Sequence, residues 1–388
     1  MKTKENSPLI VLHVVGRLDM GGAESRVMDI YRRMDRSKVQ FYFVQHTMDR
    51  CFFAEEIEKL GGEIFSIPRF NVLNILSYKK AWKQLFREHP EIRIVHGHMT
   101  STAAIYLPIA KSMGIEVTIA HARSAGVDPG LKGKVTRFLR KDLWKKCDHC
   151  FTCSHQAGES AFGKQAVKAG KVEFIPNAIE ADRFAFDAAE RKRLRDELGI
   201  SKAFVLGHVG RFSPVKNHEY LLEILKECIK EEKEAPVFKL MLLGEGPLME
   251  SIRQQAEEKG LSDRVLFLGN QREVYRYYQA MDFFLLPSFY EGLPGTAIEA
   301  QASGLAGMIS DTITPEAVVT DLIRQGSIQA PPSEWAEVIL QNRRTLCRTE
   351  EEYEKTRSGY SEQVKEAGYD AGRQVKRLEK FYLTGQWK

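Results

Sequence analysis

The chain has 388 residues, 43% hydrophobic and 28% charged, with 29 glycines and 14 prolines; this suits two globular domains and excludes a disordered or fibrous protein. A formal charge of +5, from 57 basic against 52 acidic side chains, is compatible with phosphate-bearing ligands or an anionic membrane surface. It is too weak for a nucleic-acid binder, which would also need a basic, aromatic-rich strand face.

The first apolar run, Pro8 to Val15, is short and leads into a glycine turn, so it reads as a strand rather than a signal peptide. No stretch approaches the ~20 apolar residues of a membrane-spanning helix, which predicts a cytoplasmic protein, soluble or peripheral at the inner face of the plasma membrane. Further strands are expected at residues 39–45, 63–67, 92–96, 116–121, 149–154 and 172–175, with helical stretches between them. Ile10-Val11-Leu12 and Ile92-Arg-Ile-Val95 show little polar alternation, as parallel strands covered on both faces require.

The turn Gly16 to Glu24 follows the first strand and precedes a helix. At Gly21 and Gly22 bare backbone can approach a ligand under the helix N-terminus, although such turns are also common for structural reasons alone. The glycines lack G-x-G-x-x-G spacing, which argues against NAD. His96, His98 and His121 sit at predicted strand ends, and His96-x-His98 lacks the further ligands a metal would need. Residues 131–146 carry seven cations and one acid, with Val135, Phe138, Leu139 and Leu143 at helical spacing. This predicts a basic amphipathic helix, either packed on the core with a solvated charged face or lying on an anionic bilayer. Cys147, Cys150 and Cys153 form a C-x2-C-x2-C string without a fourth ligand at suitable spacing and read as reduced, apolar-packing thiols.

A hinge is expected near residues 177–187, after which strands recur at 204–209, 238–243, 265–268, 283–286 and 307–310. Arg211 and Lys216 fall just after the first of these, five residues apart, where two cations could neutralise a diphosphate. Gly244-Glu-Gly246-Pro247 makes the turn after the next strand. The segment Ser288 to Ala300 reads as a tight loop, with Glu291, Gly292, Leu293 and Pro294, running into a helix that bears Glu299. Ligands of open parallel sheets bind at such strand ends, helix N-termini favour anionic groups, and a carboxylate can accept two hydrogen bonds from a sugar diol. In the final segment Val375, Leu378, Phe381 and Tyr382 have helical spacing.

Taken together these strings closely resemble the donor-site signature of GT4-type (group 1) retaining glycosyltransferases, over nearly the whole chain. The resemblance implies an α/β GT-B fold of two Rossmann-like, doubly wound domains facing a cleft: an acceptor-side domain over 1–180, a donor-binding domain over 181–365, and a helix over 366–388 returning to the first domain. It implies that Glu299 holds the donor ribose and Glu291 contacts the transferred sugar, that Arg211 and Lys216 bind the diphosphate, and that His121 lies near the transferred sugar. Gly21 and Gly22 would lie under the donor diphosphate and acceptor, Gly244 and Gly246 would line the nucleobase region, and Gly292, Leu293 and Pro294 would complete the donor loop. The expected reaction is metal-independent, cofactor-free, retaining hexosyl transfer from a UDP- or GDP-sugar to a glycan or lipid-linked acceptor in bacterial capsule or exopolysaccharide synthesis. No D-x-D string is present to bridge a cation. Departures are Ala178 where the family's P-N-G turn has Gly, Gly295-Thr296 for an apolar pair, and Leu305-Ala306 for Leu-Pro. Two rivals remain: a sugar-nucleotide epimerase or hydrolase of the same fold, and a non-catalytic partner subunit.

Overall fold

Parallel strands covered on both faces need apolar side chains on both, and β1 (Leu9–Val14) supplies them at every position but His13, with Val11, Leu12 and Val14 fully buried. The computed structural model describes residues 7–123, 130–231, 237–345 and 350–387. It divides into two units: one runs up to Ala178 and resumes at Ala371, and the other spans Ile179–Asp370.

In the first unit β1 joins β2 (Val39–Gln45), β3 (Ile64–Ser66), β4 (Ile92–Gly97), β5 (Val117–Ala122), β6 (His149–Thr152) and β7 (Val172–Phe174). All pairings are parallel, in the order β3-β2-β1-β4-β5-β6-β7. The order reverses between β1 and β4, which is where doubly wound sheets open a crevice. The register across that point sets His13 opposite His96. Helix α1 (Gly22–Arg33) follows β1, α2 (Thr100–Ser112) follows β4, and α3 (Gly130–Arg140) follows β5.

The basic helix expected over 131–146 stops early. Asp142 adopts a left-handed φ of 56°, and Leu143–Lys145 form a separate 3-10 turn. Lys132, Lys134, Arg137 and Lys141 are solvated, but its two faces are less cleanly divided than the spacing suggests. Arg140 is buried and donates to Thr100 Oγ1 (2.8 Å) and Ser160 Oγ (3.3 Å), whereas Leu131 and Phe138 are 78% and 75% exposed.

The second unit repeats the plan with β8 (Ala203–Val209), β9 (Val237–Leu243), β10 (Val265–Phe267), β11 (Phe283–Leu286), β12 (Gly307–Ser310) and β13 (Ile323–Gly326), all parallel in the order β10-β9-β8-β11-β12-β13. The reversal here lies between β8 and β11. Helices α4 (His218–Lys230), α5 (Val274–Ala280) and α6 (Gly295–Ala302) frame it. Below the sheet's far end, buried Asp282 accepts hydrogen bonds from Arg191 (2.5 Å), Arg195 (3.0 Å), Val205 N (2.7 Å) and Tyr353 Oη (3.1 Å). Those guanidiniums hold its carboxyl below the usual range against the opposing effect of burial.

Helix α7 (Ala371–Thr384) belongs to the first unit. It buries Val375, Leu378, Phe381 and Tyr382 among Val11, Phe41 and Phe43. Fully burying such a side chain contributes about 1.5–3 kcal/mol before ordering costs. Among the described residues no helix is long and apolar enough to cross a membrane.

Candidate active site

In the second unit the loops that leave β8 and β11 lie on either side of the order reversal. Phe289 N donates to Val215 O (2.8 Å) and ties them together. The contact brings Lys216 Nζ to 2.5 Å from Glu291 Oε1, with the two side chains 17% and 16% exposed. Asn217 then takes a left-handed φ of 54°, a conformation Asn tolerates better than most residues, and starts α4 at once. Arg211 is exposed and has no ion pair among the described residues. Gly244 and Gly246 make it possible for the turn after β9 to sit against this loop. A Cβ on either would overlap a carbonyl oxygen, that of Gly210 or that of Phe212. Phe212 N donates to Glu245 O (3.0 Å), so the two glycines seat the cation-bearing loop.

Buried Gly292, Leu293 and Pro294 carry the chain from Glu291 into α6, with Pro294 as its N-cap. Glu299, on that helix, is 3% exposed and accepts from Tyr278 Oη of α5 at 2.9 Å. Ser288 Oγ and Thr296 Oγ1 are buried hydroxyls without a hydrogen-bond partner among the described residues. Unpaired donors next to a helix N-terminus and two cations make a set suited to an anion. Behind the loop, His218 stacks on Phe212 with ring centroids 4.1 Å apart. Burial, with Lys216 adding to it, pushes His218 down to about 4.

In the first unit Gly21 is the N-cap of α1, with no side-chain capping bond; a Cβ there would overlap the Glu24 carboxylate, and one on Gly22 would meet open space. The histidines form a connected group. His13 Nδ1 lies 3.0 Å from His98 Nε2, and His96 Nε2 lies 3.0 Å from His121 Nδ1. Tyr382 Oη is 2.7 Å from His96 Nδ1. Arg123 donates through Nε to His98 Nδ1 (3.4 Å) and through Nη1 to Asn177 Oδ1 (2.7 Å). Burial, reinforced by charged or ring neighbours, holds His96, His98 and His121 well below the ordinary imidazole value and His13 at about 3.

Ligand atoms of His13, His96 and His98 lie within 4.8 Å of one another. The Arg123 guanidinium at hydrogen-bond range from His98 opposes a cation there, and the ring contacts describe a hydrogen-bond network instead. Among the three clustered cysteines, Cys147 Sγ lies 3.5 Å from Cys150 Sγ. That contact and burial push the Cys150 thiol up, away from the thiolate that a metal would require.

Residues 20–183 match the family model for Glycosyltransferase Family 4 and residues 190–356 the model for Glycosyl transferases group 1, so the β8–β11 crevice falls inside a matched segment, as does all of the first crevice except β1. The EpsF protein of Bacillus subtilis (strain 168) is 33% identical over 96% of each chain. The chain belongs to the group 1 glycosyl transferases. It is also similar to the capsular polysaccharide biosynthesis glycosyltransferase CapH of Staphylococcus aureus, with 24% identity covering 85% of this chain and 89% of CapH. The crystal structure of Anabaena Alr3699/HepE with UDP and glucose superposes with a TM-score of 0.77 at 18% identity, covering 97% of this chain and 100% of that one. The fold is therefore GT-B, and the chain is a glycosyltransferase of the hexosyltransferase type.

In this glycosyltransferase the residues singled out from sequence fall into two groups. Lys216, Glu291, Arg211, Gly244, Gly246, Gly292, Leu293, Pro294 and Glu299 gather around the β8–β11 crevice. Gly21 and Gly22 follow β1 at the crevice of the first unit, whereas His121 lies within β5, is fully buried, and is hydrogen-bonded to His96 and packed edge-on against Phe151. Tyr278, Arg123, His13 and Tyr382 were not anticipated as site residues. Tyr382 stands in the final helical segment, marked for its apolar spacing, and nothing in the sequence links Arg123 to His98 or Tyr382 to His96. Ala178 replaces a glycine without strain, because Asp142 and Asn217 have the positive φ angles among described non-glycine residues.

Proposed function

We propose that this glycosyltransferase moves a hexose from a UDP- or GDP-sugar to a glycan or lipid-linked acceptor, with retention of configuration and without a metal ion, in bacterial capsule or exopolysaccharide synthesis. The observation that carries the reading is the Lys216–Glu291 pair at the β8–β11 reversal, with Glu299 on the helix that follows. Arg211 and Lys216 suit the departing diphosphate, whose charge grows as the glycosidic bond breaks and is stabilised most by fixed cations. Two such cations take the part that a carboxylate-held metal plays elsewhere. Glu299, fixed by Tyr278, suits the donor ribose, and Glu291 suits hydroxyls of the transferred sugar. Gly21 and Gly22 offer bare backbone to the donor diphosphate and the acceptor.

The Anabaena complex with UDP and glucose supports the uridine alternative, and CapH supports the polysaccharide setting. Residues 131–146 suit peripheral contact with an anionic membrane, since Leu131 and Phe138 project among Lys132, Lys134, Arg137 and Lys141. Thermal shift with a panel of UDP- and GDP-sugars in EDTA tests the donor site, because a ligand at about 100 times its Kd stabilises by about 2.7 kcal/mol. A shift with one donor, lost in Arg211→Ala, is expected, followed by transfer that keeps the anomeric configuration. No shift with any donor would overturn the reading. Replacing Lys141, Lys145 and Lys146 with Glu should abolish sedimentation with anionic liposomes.

A further inference from the structure

Two imidazole chains run side by side in the first unit. One begins at Arg123, whose guanidinium can only donate, so His98 Nδ1 accepts and the His98 proton sits on Nε2. His98 then donates to His13 Nδ1 across 3.0 Å, and the rings lie within 9° of parallel. The other chain begins at the Tyr382 phenol, 2.7 Å from His96 Nδ1, and continues from His96 Nε2 to His121 Nδ1 at 3.0 Å with the rings 16° apart.

Its polarity follows from counting protons. Tyr382 is buried, and His96 is its hydrogen-bond partner among the described residues. Were His96 to donate to the phenol, both ends of the chain would be unmatched, the phenolic proton buried without an acceptor and His121 Nε2 buried as a bare lone pair without a donor, against one unmatched group in the opposite polarity. With the phenol donating, each proton along the chain is accepted until the last, on His121 Nε2. That atom is buried and has no hydrogen-bond partner among the described residues.

We infer that Tyr382 of α7 is a positioning residue that, through His96, fixes His121 as its Nε2–H tautomer, so that His121 presents a neutral hydrogen-bond donor to a sugar hydroxyl. The inference rests on the proposed placement of the transferred sugar near His121. A ring in this tautomer has no lone pair at Nε2, so it cannot take a proton there and acts by donating to an oxygen.

Ring-15N-histidine labelling of the full chain, with His121 assigned through His121→Gln, reads the tautomers directly. In the wild-type protein Nε2 of His121 should be protonated and Nδ1 bare. In Tyr382→Phe the His96 and His121 signals should move toward mixed tautomers, while kcat falls roughly tenfold at unchanged donor KM. Nδ1-protonated His121 in the wild type would overturn the inference, as would wild-type spectra and kcat in Tyr382→Phe. If Tyr382→Phe fails to fold, the wild-type spectrum alone decides. If the wild type binds no nucleotide sugar, the reading of the reaction fails, while the spectrum still decides the tautomer.

Discussion

Replacing Glu291 with Gln should separate nucleotide affinity from turnover in opposite directions. Lys216 Nζ lies 2.5 Å from Glu291 Oε1 in a pair whose side chains are 17% and 16% exposed. Coulomb attraction at that distance is about 6–7 kcal/mol at an effective dielectric near 20, before desolvation offsets most of it. Measured couplings of close charge pairs at desolvated sites begin at about 1.5 kcal/mol. A diphosphate that engages Lys216 must overcome at least that coupling and also meets the Glu291 charge. Glu291→Gln removes both obstacles without changing side-chain volume, so UDP or GDP should bind about tenfold more tightly by isothermal titration. Hexose transfer should fall by roughly 100-fold, because the carboxylate proposed to contact the sugar is gone. Lys216→Ala is the control and should weaken nucleotide binding. Unchanged or weaker nucleotide binding in Glu291→Gln would refute the idea that carboxylate and diphosphate compete for Lys216.

Asp282→Ala leaves Arg191, Arg195 and Val205 N without their shared acceptor, and should cost about 3–5 kcal/mol in urea unfolding of the second unit. Gly244→Ala forces a Cβ into the Gly210 carbonyl and displaces the Arg211 loop; donor Kd should rise roughly tenfold, and an unchanged Kd would detach that turn from the donor site. Acid should also destabilise the protein. His13 at about 3 and His218 at about 4 lie below the ordinary 6.5, so below pH 6.5 the unfolded chain takes up protons that the folded one refuses. Their contribution is fully present above pH 6.5 and falls by about 1.4 kcal/mol per pH unit for each histidine as pH drops toward 4. Urea midpoints at pH 7.5, 6 and 5 check this, and a flat profile would mean that the folded state protonates these rings readily.

The sheets were largely readable because fully buried parallel strands leave unbroken apolar runs between turn residues; β2, β11 and β12 coincide with the expected segments to the residue. β13 escaped notice because it is an edge strand whose Arg324 and Gln325 face solvent. The early end of α3 was hidden for a different reason. Its periodicity continues through Leu143, and one left-handed residue, Asp142, interrupts it. The proposed donor loop is local, from Ser288 to Glu299, so its residue types stand together in the text of the sequence. The meeting of Lys216 with Glu291 depends on two strand ends brought side by side. The histidine network depends on register and on Tyr382, 286 residues from His96. No window of sequence contains it.

Helix α7 gives this fold an order of assembly. Residues 179–370 form one continuous stretch and can close their own core as they leave the ribosome. The first unit cannot do so, because Val375, Leu378, Phe381 and Tyr382 fill the space beside Val11 and Phe41 and are synthesised only after the whole second unit. A nascent chain should therefore carry a finished second unit beside an unfinished, apolar-faced first one until residue 384 emerges. A chain stopped at Asp370 should yield a folded second unit attached to a first unit that stays open to proteolysis.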